Sequence, residues 1–415
     1  MARLYRIGVI AQPGTRYYLS VGIGISQAIR KRRSWLVRLA GGIGGDASTL
    51  LNWPPDGVIM AVTPSSAVLD DLRTLNSPVV NFSGALPDTD IPTVRTDDRQ
   101  VGRLAAEHLL ELNLAHFAFW VSDTQAHSQR RRQGFFDRLR EAGAADGHLH
   151  ELPRVDAPDR RRRDRVIGRW LRELPKPVGL LAANDQAAYV LREICREIDL
   201  AVPGEVALLG VDDDPLLCRL SDPPLSSIRL STQRIGAAAV AMLADMLEGR
   251  PAPPAPVLIP PLGVIARGST DMLAVDDREV AAAVRFIRTH ATRGITVTDV
   301  LDAVPLSRRT LERRFRAAFG RSPGAEIRRV QLERAKYLLA GSDASIPQVA
   351  RQSGFRSPEY LTYVFRRKLG LPPTHYRKQP HSPQPWVLND RLDAEAAPPA
   401  RRPGRTGGNR PAGRA

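Results

Sequence analysis

The same helical pattern occurs twice near the C-terminus, in Leu306-Ser307-Arg308-Arg309-Thr310-Leu311-Glu312-Arg313-Arg314-Phe315 and in Arg356-Ser357-Pro358-Glu359-Tyr360-Leu361-Thr362-Tyr363-Val364-Phe365. Identical residues recur 50 positions apart at Ser307 and Ser357, Phe315 and Phe365, Gly320 and Gly370, and Pro323 and Pro373. Upstream the offset is 49, from Val300 to Val349, so the second copy has one more residue in its turn. In each copy a short apolar helix leads to a Ser that can cap the next helix. The chain is therefore predicted to carry a duplicated helix-turn-helix unit.

The second helix of each copy leaves a polar outer face once its apolar residues are buried. In the first copy this face and its cap comprise Ser307, Arg308, Arg309, Glu312, Arg313 and Arg316. In the second copy they comprise Ser357, Glu359, Tyr360, Thr362, Tyr363, Arg366 and Arg367. Arginine, hydroxyl and carboxylate groups on a helix can contact phosphates and base edges. We therefore expect these residues to bind double-stranded DNA.

The distribution of charge supports this interpretation. The chain has a formal net charge of +16, and residues 278–378 contain 21 Lys and Arg against 8 Asp and Glu. The tail, 379–415, has 6 against 3, whereas residues 1–277 are balanced at 33 each. A basic unit on a neutral body is typical of attraction to the phosphate backbone. The alternative is a solvated helix face, which is the better interpretation for most side chains of the basic runs 130–132 and 160–163.

The first 270 residues alternate short apolar strands with amphipathic helices, which predicts an α/β fold with parallel sheets. Strands are expected at 6–11, 34–40, 57–62, 78–82, 116–122, 178–183 and 206–211. Helices are expected near 20–33, 99–113, 128–142, 161–173, 185–197 and 233–248. Two lobes fit this pattern, one built from about 5–112 plus 231–270 and the other from 113–230. Ligands of such folds bind at the carboxyl ends of the strands.

The C-terminal unit resembles the AraC family over about 100 residues. The motifs are the first quoted stretch, Leu332-Glu333-Arg334-Ala335-Lys336-Tyr337-Leu338-Leu339, Gly354-Phe355-Arg356-Ser357-Pro358-Glu359-Tyr360 and Pro372-Pro373-Thr374-His375-Tyr376-Arg377. The resemblance implies two recognition helices, joined by a linking helix near 326–340, that enter successive major-groove segments. It implies base reading by Arg309, Glu312 and Arg313 in the first helix and by Glu359, Tyr360 and Tyr363 in the second.

The preceding region resembles the periplasmic-binding-protein-like sensor of the LacI/GalR regulators. The motifs are Thr96-Asp97-Asp98, Gly134-Phe135, Ala183-Asn184-Asp185-Gln186-Ala187, residues 202–213 and Pro224-Leu225-Ser226-Ser227-Ile228. The resemblance implies a sugar or nucleobase held by Arg131, Asn184 and Asp212. Asp185 is expected to cap the following helix rather than to contact the ligand, which is the less favoured alternative. Asp212 would accept hydrogen bonds from neighbouring hydroxyls, and Arg131 and Asn184 would donate them. Tyr17 is either a ring that stacks on the sugar or a residue that packs between the lobes.

The combination of the two regions resembles the bacterial xylose-operon regulators along residues 5–378. It implies a homodimeric transcription activator that responds to an aldopentose such as xylose, with RNA polymerase as a further candidate partner. The predicted organisation is a sensor at 1–273, an all-α DNA-binding domain with two helix-turn-helix motifs at 274–378, and a disordered basic tail at 379–415. The alternatives are a regulator that senses a different ligand, a sugar-binding transport protein, and an enzyme with an appended DNA-binding unit.

Several other functions find little support in the sequence. Two cysteines, Cys195 and Cys218, cannot form a disulfide framework, and a reducing cytoplasm is expected. No apolar run has the length of a signal peptide or membrane span. The histidines lack the spacing of metal ligands, so neither a metal nor a cofactor is expected. The chain is therefore not predicted to be an enzyme.

Overall fold

The computed structural model describes residues 4–10, 16–40, 50, 52–61, 77–87, 90–157, 159–272, 277–341, 344–378 and 387–389. Residues 4–272 form a two-lobed α/β region, and residues 277–378 form a helical region. The predicted fold class is confirmed.

The first lobe contains a parallel four-stranded sheet in the order β2-β1-β3-β4. Its strands are β1 (Tyr5–Ile10), β2 (Trp35–Ala40), β3 (Gly57–Met60) and β4 (Val79–Asn81), and a parallel pair, β5 (Val94–Thr96) with β11 (Val257–Ile259), completes the lobe. Helices α1 (Arg16–Ile29) and α7 (Thr232–Leu247) pack on this core. The two helices cross so closely at Gly24 that a Cβ on this residue would lie only 2.1 Å from the carbonyl oxygen of Gln233. Glycine is needed at that crossing.

The second lobe is built on a seven-stranded sheet in the order β13-β12-β10-β9-β8-β6-β7. Its strands are β6 (His116–Trp120), β7 (Leu149–Leu152), β8 (Val178–Ala182), β9 (Val206–Val211), β10 (Ser226–Arg229), β12 (Gly263–Ala266) and β13 (Val387–Asn389). Helices α2 (Asp98–Leu110) and α3 (Ala126–Glu141) cover one face, and α4 (Arg160–Glu173), α5 (Asp185–Glu197) and α6 (Pro215–Leu220) cover the other. The central strands β8 and β9 are buried along their whole length, as is expected of parallel strands covered on both faces.

The chain divides between the lobes at different residues from those expected. Helix α2 packs its Leu104 and Leu109 into the core of the second lobe, although 98–112 had been predicted in the first. Strand β12 likewise pairs with β10 in the second sheet, so 263–270 also belong there. The sequence pattern gives the longer elements, although not the short strands β5, β7, β10, β11 and β12, and it does not give the sheet of each element, because both lobes alternate strand and helix in the same way. The lobes are therefore joined near residues 97, 230 and 261.

The helical region contains α8 (Arg278–His290), α9 (Val297–Asp302), α10 (Arg308–Phe319), α11 (Pro323–Gly341), α12 (Ile346–Gln352), α13 (Pro358–Leu369) and α14 (Pro373–Lys378). One apolar core surrounds Leu311 and Phe315, and a second surrounds Leu361 and Phe365. All four of these side chains are fully buried. The long helix α11 contributes residues to both cores. The predicted duplication is therefore visible as two small cores that share one helix.

The two regions are in contact. Ile265 of β12 lies in the same apolar cluster as Val280 and Val284 of α8. Glu111, which directly follows α2, accepts hydrogen bonds from Arg329 of α11. The two-lobed and helical regions therefore share both apolar and ionic contacts.

The predicted tail, 379–415, lies largely outside the described residues. The exception is β13, which pairs in parallel with β12, with Leu388 opposite Ile265. That short segment is a strand rather than part of a disordered tail. Among the residues that the structure describes, no helix is long and apolar enough to span a membrane.

Candidate ligand cavity and DNA-binding surface

A cavity of about 830 Å³ lies between the two lobes of the α/β region. Its volume is in the range of small-molecule sites. Polar and aromatic side chains dominate its wall, including Tyr17, Tyr18, Ser83, Thr96, Asp98, His127, Arg131, Asn184, Asp185 and Asp212. All four predicted ligand residues, Tyr17, Arg131, Asn184 and Asp212, line it. The sequence-based prediction therefore selected residues that the fold brings together.

Arg131 is held at the cavity wall by a buried ion pair. Its Nε donates to Oδ1 of Asp98 over 2.9 Å, and its Nη1 donates to the carbonyl oxygen of Ala183 over 2.6 Å. The other carboxylate oxygen of Asp98, Oδ2, is buried without a hydrogen-bond donor in the described part of the chain. Burial raises the pKa of Asp98, although the charge of Arg131 opposes this shift. The pair thus presents an unsatisfied acceptor beside a fixed guanidinium.

Asp98 and Thr96 were not among the predicted ligand residues. Thr96 is the last residue of β5 and Asp98 is the first residue of α2, and both lie within the Thr96-Asp97-Asp98 motif. The position of this motif at a strand end was the signal that could have identified them. Thr96 Oγ1, like Asp98 Oδ2, is buried and lacks a hydrogen-bond partner among the described residues.

Asp212 follows β9 directly and has a left-handed backbone, with φ of 112°. Burial raises its pKa to about 6; Arg131 opposes this shift, and the nearby Asp98 and Asp214 carboxylates reinforce it. An acid held in a strained backbone conformation beside a cavity is typical of functional sites. Asp212 can therefore accept hydrogen bonds as a carboxylate near neutral pH.

The next two acids in the Asp212-Asp213-Asp214 run have structural roles. Asp213 is buried and accepts from Arg229 Nε over 2.6 Å and from Arg267 Nη2 over 2.7 Å. Asp214 caps α6 by accepting from the backbone N–H groups of Leu216 and Leu217. Of the three, only Asp212 has a carboxylate with no hydrogen-bond or ion-pair partner in the part of the chain that the structure describes.

The cap of α5 is Asn184 and not Asp185, which corrects the expectation from sequence. Asn184 Oδ1 accepts from the backbone N–H of Ala187 over 2.8 Å, because Asn184 has the extended backbone of an N-cap residue. Its side-chain amide remains a possible donor to the cavity. Asp185 is buried and accepts from Ser227 Oγ and from the Asp214 N–H, and burial raises its pKa well above the usual value.

Aromatic residues form the first-lobe side of the cavity. The Tyr17 hydroxyl donates to the carbonyl oxygen of Phe82 over 3.1 Å, and its ring contacts the cores of both lobes. Tyr18 packs edge-on against Tyr17 with ring centroids 5.4 Å apart. Across the cavity, burial and the charges of Arg131 and Arg130 lower the pKa of His127 to about 3, so its imidazole is neutral. Tyr17 therefore packs between the lobes, as one of the two alternatives expected, and it also lines the cavity.

Arg130 connects the lobes beside the cavity. It donates from Nη1 to the Gly84 carbonyl and from Nη2 to the Leu86 carbonyl, each over 3.0 Å. The expectation of a solvated helix face for most of the 130–132 run is thus wrong for Arg130, which faces the lobe junction beside the predicted ligand residue Arg131. Arg132 fits that expectation better, since it is partly exposed and pairs with Glu151.

The first recognition helix, α10, begins at the cap residue Ser307 and ends before Gly320, whose φ is 64°. Arg308, Arg309, Arg313 and Arg316 are exposed along it. Glu312 lies between two of these arginines, with its carboxylate 3.9 Å from Arg308 Nε and 3.5 Å from Arg316 Nη2. Arg309 and Arg313 have no ion pair in the described residues, so their guanidinium groups are available to DNA.

The second recognition helix, α13, begins at the cap residue Ser357 and ends before Gly370. Tyr363 is 53% exposed, and its hydroxyl accepts from Arg367 Nη1 over 2.8 Å. Its ring stacks with that of Tyr360, over which the Arg356 guanidinium lies at 4.5 Å. Thr362 donates its hydroxyl to the Pro358 carbonyl, so that proton is used inside the helix. The exposed charged residues of this helix are Glu359, Arg366, Arg367 and Lys368.

Comparison with known proteins finds one domain match in each of the two regions. Residues 106–270 match a periplasmic binding protein-like domain, and residues 300–379 match a helix-turn-helix domain. The xylose operon regulatory protein of Haemophilus influenzae is 29% identical over 386 residues, which cover 90% of this chain and 98% of the relative. The corresponding protein of Escherichia coli is 27% identical over 380 residues, covering 90% and 97%.

Solved structures agree with this assignment. A xylose-binding transcription activator matches with a TM-score of 0.58 and 26% identity, covering 91% of this chain and 98% of the other. A ribose-bound LacI family regulator from Enterococcus faecium matches with a TM-score of 0.52 and 21% identity, covering 65% of this chain. The second similarity concerns the fold of the two-lobed region alone. The first extends over both regions.

Proposed function

We propose that this chain, a sugar-sensing DNA-binding transcription regulator homologous to the xylose operon regulatory proteins, activates transcription when an aldopentose such as xylose occupies its cavity. The observation that carries this proposal is the polar cavity between the lobes, in a chain whose helical region presents two exposed recognition helices.

The cavity has the donors and acceptors that a small polyol requires. Neighbouring hydroxyls of a sugar donate best to carboxylates, and Asp212 and the unsatisfied Oδ2 of Asp98 are two acceptors of that kind. Arg131 and the side-chain amide of Asn184 donate to ring or hydroxyl oxygens. Tyr17 and Tyr18 supply the apolar faces against which a sugar ring can pack.

The helical region, 277–378, is proposed to bind duplex DNA through both recognition helices. Arg309 and Arg313 would contact base edges, because they are exposed and free of ion pairs in the described residues. Arg316, Arg366 and Arg367 would hold phosphates. Tyr363 cannot offer guanine the bidentate contact of an arginine, so the second helix would read shape and backbone more than base edges.

Three further features complete the proposal. The active form is a homodimer, it works in the cytoplasm, and at the promoter it recruits RNA polymerase. These features follow the resemblance to xylose-operon regulators and to the two-domain relatives reported above.

The test is a ligand screen on the purified full-length chain. Thermal unfolding would be followed with D-xylose, L-arabinose, D-ribose, D-glucose and xylitol at equal concentrations. A pentose at 100 times its dissociation constant should add about 2.7 kcal/mol of stability. Asp212→Asn should lose most of this shift, and Asp146→Asn, whose carboxylate is exposed and pairs with Arg140, should retain it. A shift with a hexose or polyol alone would refute the pentose assignment.

A further inference from the structure

The helix α2 has one end in the ligand cavity and the other against the helical region. Its first residue, Asp98, is buried at the cavity and paired with Arg131. Glu111, at its other end, is the residue that contacts the linking helix α11. A helix of 13 residues is about 20 Å long. No loop or hinge separates the two ends.

Contacts at the far end of α2 are ionic and specific. The carboxylate oxygens of Glu111 accept from Arg329 Nη1 over 2.5 Å and Nη2 over 3.2 Å, a two-point geometry. The backbone carbonyl of Glu111 accepts from Arg288 Nη2 over 2.9 Å. One turn earlier, the buried His108 Nε2 lies 3.0 Å from Thr270 Oγ1, in the segment that leads into the helical region. Helix α2 is thus attached to α8, α11 and the connecting segment.

Arg329 connects Glu111 to the rest of the helical region. It also donates to Glu326, which is 1% exposed and lies within 2.5 Å of Arg321 Nε. Burial alone would raise the pKa of Glu326, but its hydrogen bond from Arg329 and the charges of Arg329, Arg288 and Arg321 lower it to about 2, so the network stays ionised at neutral pH. Arg321 follows the first recognition helix after a single residue. The network therefore reaches from the sensor to the end of α10 and the start of α11.

Resting on the proposed function, we infer that α2 carries the sugar signal as a rigid rod and that Glu111 is the residue that delivers it to the linking helix. A sugar that engages Asp98 and Arg131 replaces or reshapes their ion pair and moves the first turn of α2. Because packed helices shift as units, Glu111 moves with it and repositions Arg329. Glu111 and Arg329 are positioning residues, since neither lines the ligand cavity.

The test uses the full-length chain with Glu111→Gln and, as the matched control, Glu107→Gln. Glu107 lies on the same helix, but its partner Arg138 belongs to the sensor, with Arg138 Nε 3.1 Å from Glu107 Oε1. D-xylose affinity would be measured by calorimetry. Operator affinity would be measured by fluorescence anisotropy with and without D-xylose, on a duplex selected by the wild-type chain from a random library.

Glu111→Gln should bind D-xylose within about twofold of wild type but lose most of the sugar-induced change in operator affinity, which is typically 5- to 150-fold. Glu107→Gln should keep that change. Arg329→Gln should reproduce the loss, and the double variant Glu111→Gln with Arg329→Gln should lose no more than either single variant. If Glu111→Gln does not fold, Glu111→Asp, which retracts the carboxylate by one methylene, replaces it.

The outcomes separate this inference from the proposed function. A wild-type chain whose operator affinity ignores every pentose refutes the proposed effector and the coupling with it. A wild-type response that Glu111→Gln retains in full refutes the coupling alone. Reciprocity gives a second measure, since operator DNA should raise D-xylose affinity in wild type by the same factor and leave it nearly unchanged in Glu111→Gln.

Discussion

Ionisation of Asp212 should make sugar binding depend on pH near neutrality. Burial and neighbouring carboxylates raise its pKa to about 6. If only the ionised form accepts two sugar hydroxyls, then about 1% of the sites are unavailable at pH 8 and about 90% at pH 5. The apparent dissociation constant for D-xylose should therefore rise about tenfold on going from pH 8 to pH 5, or about 1.4 kcal/mol. Calorimetric titrations at half-unit intervals would measure the step.

Variants assign the step to Asp212. Asp212→Asn should bind D-xylose more weakly than wild type, by about 1.5–3 kcal/mol, because charge-assisted hydrogen bonds are lost. The affinity of this variant for D-xylose should not change between pH 5 and 8. Asp98→Asn should also bind D-xylose more weakly than wild type, but its affinity should still change with pH. That change should occur at lower pH than in wild type, because the Asp98 charge helps to raise the pKa of Asp212. A flat wild-type profile, or a step that persists in Asp212→Asn, would show that Asp212 does not hold the ligand.

Stability should change in the opposite direction. The folded-state pKa of Asp212 lies above the ordinary value of 3.8, so the folded chain binds the proton more tightly than the unfolded chain. Stability is then lost as the pH rises from 3.8 through 6, by at most about 3 kcal/mol. Without sugar, Asp212→Asn should therefore unfold at a higher temperature than wild type at pH 8, with little difference at pH 4. Equal melting temperatures at pH 8 would contradict the buried charge.

Three other predictions test the lobe contact and the DNA-binding surface. Arg130→Ala removes two hydrogen bonds between the lobes and should weaken D-xylose binding about 5- to 10-fold, which corresponds to roughly 1 kcal/mol. Arg132→Ala loses an ion pair within one lobe and should leave D-xylose binding unchanged. Arg313→Ala should cost roughly 1–3 kcal/mol at one operator position, whereas Arg367→Ala should weaken all sequences alike in a selection assay; equal losses for both would reverse that assignment. Operator affinity of the full chain should fall with salt at a log–log slope of about −5 for roughly six phosphate contacts, and a slope near zero would exclude the arginine surface as the DNA contact.

The sequence was sufficient for the longer strands and helices because their signals are local, but it left the short strands β5, β7, β10, β11 and β12 unpredicted. The apolar runs at 178–183 and 206–211 are β8 and β9, and Ser307 and Ser357 cap the helices that they were expected to cap. The assignment of elements to lobes was less successful, since α2 and β12 pack with the second lobe through contacts distant in sequence. Local pattern contains no information about such partners.

The ligand cavity was predicted in part, and the limits have a physical cause. Arg131 and Asp212 could be found from their motifs, but Asp98 acts through a pairing with Arg131 across 33 residues. Asn184 caps α5 in place of Asp185, because which of two adjacent polar residues caps a helix depends on the backbone angles. The Glu111–Arg329 contact spans 218 residues and left no sign in the sequence.

Ile265 has a consequence for the engineering of chimeric regulators. Ile265 belongs to strand β12 of the α/β region, yet its side chain packs in the apolar cluster with Val280, Val284 and Ile287 of α8. A fragment that begins at residue 278 would leave that face of α8 in water, at roughly 1.5–3 kcal/mol for each large aliphatic side chain uncovered. Grafting the DNA-binding helices onto another sensor would therefore succeed only where the new sensor offers an aliphatic residue at the position of Ile265. The unit that can be exchanged between regulators is therefore the helical region together with the aliphatic contact at position 265.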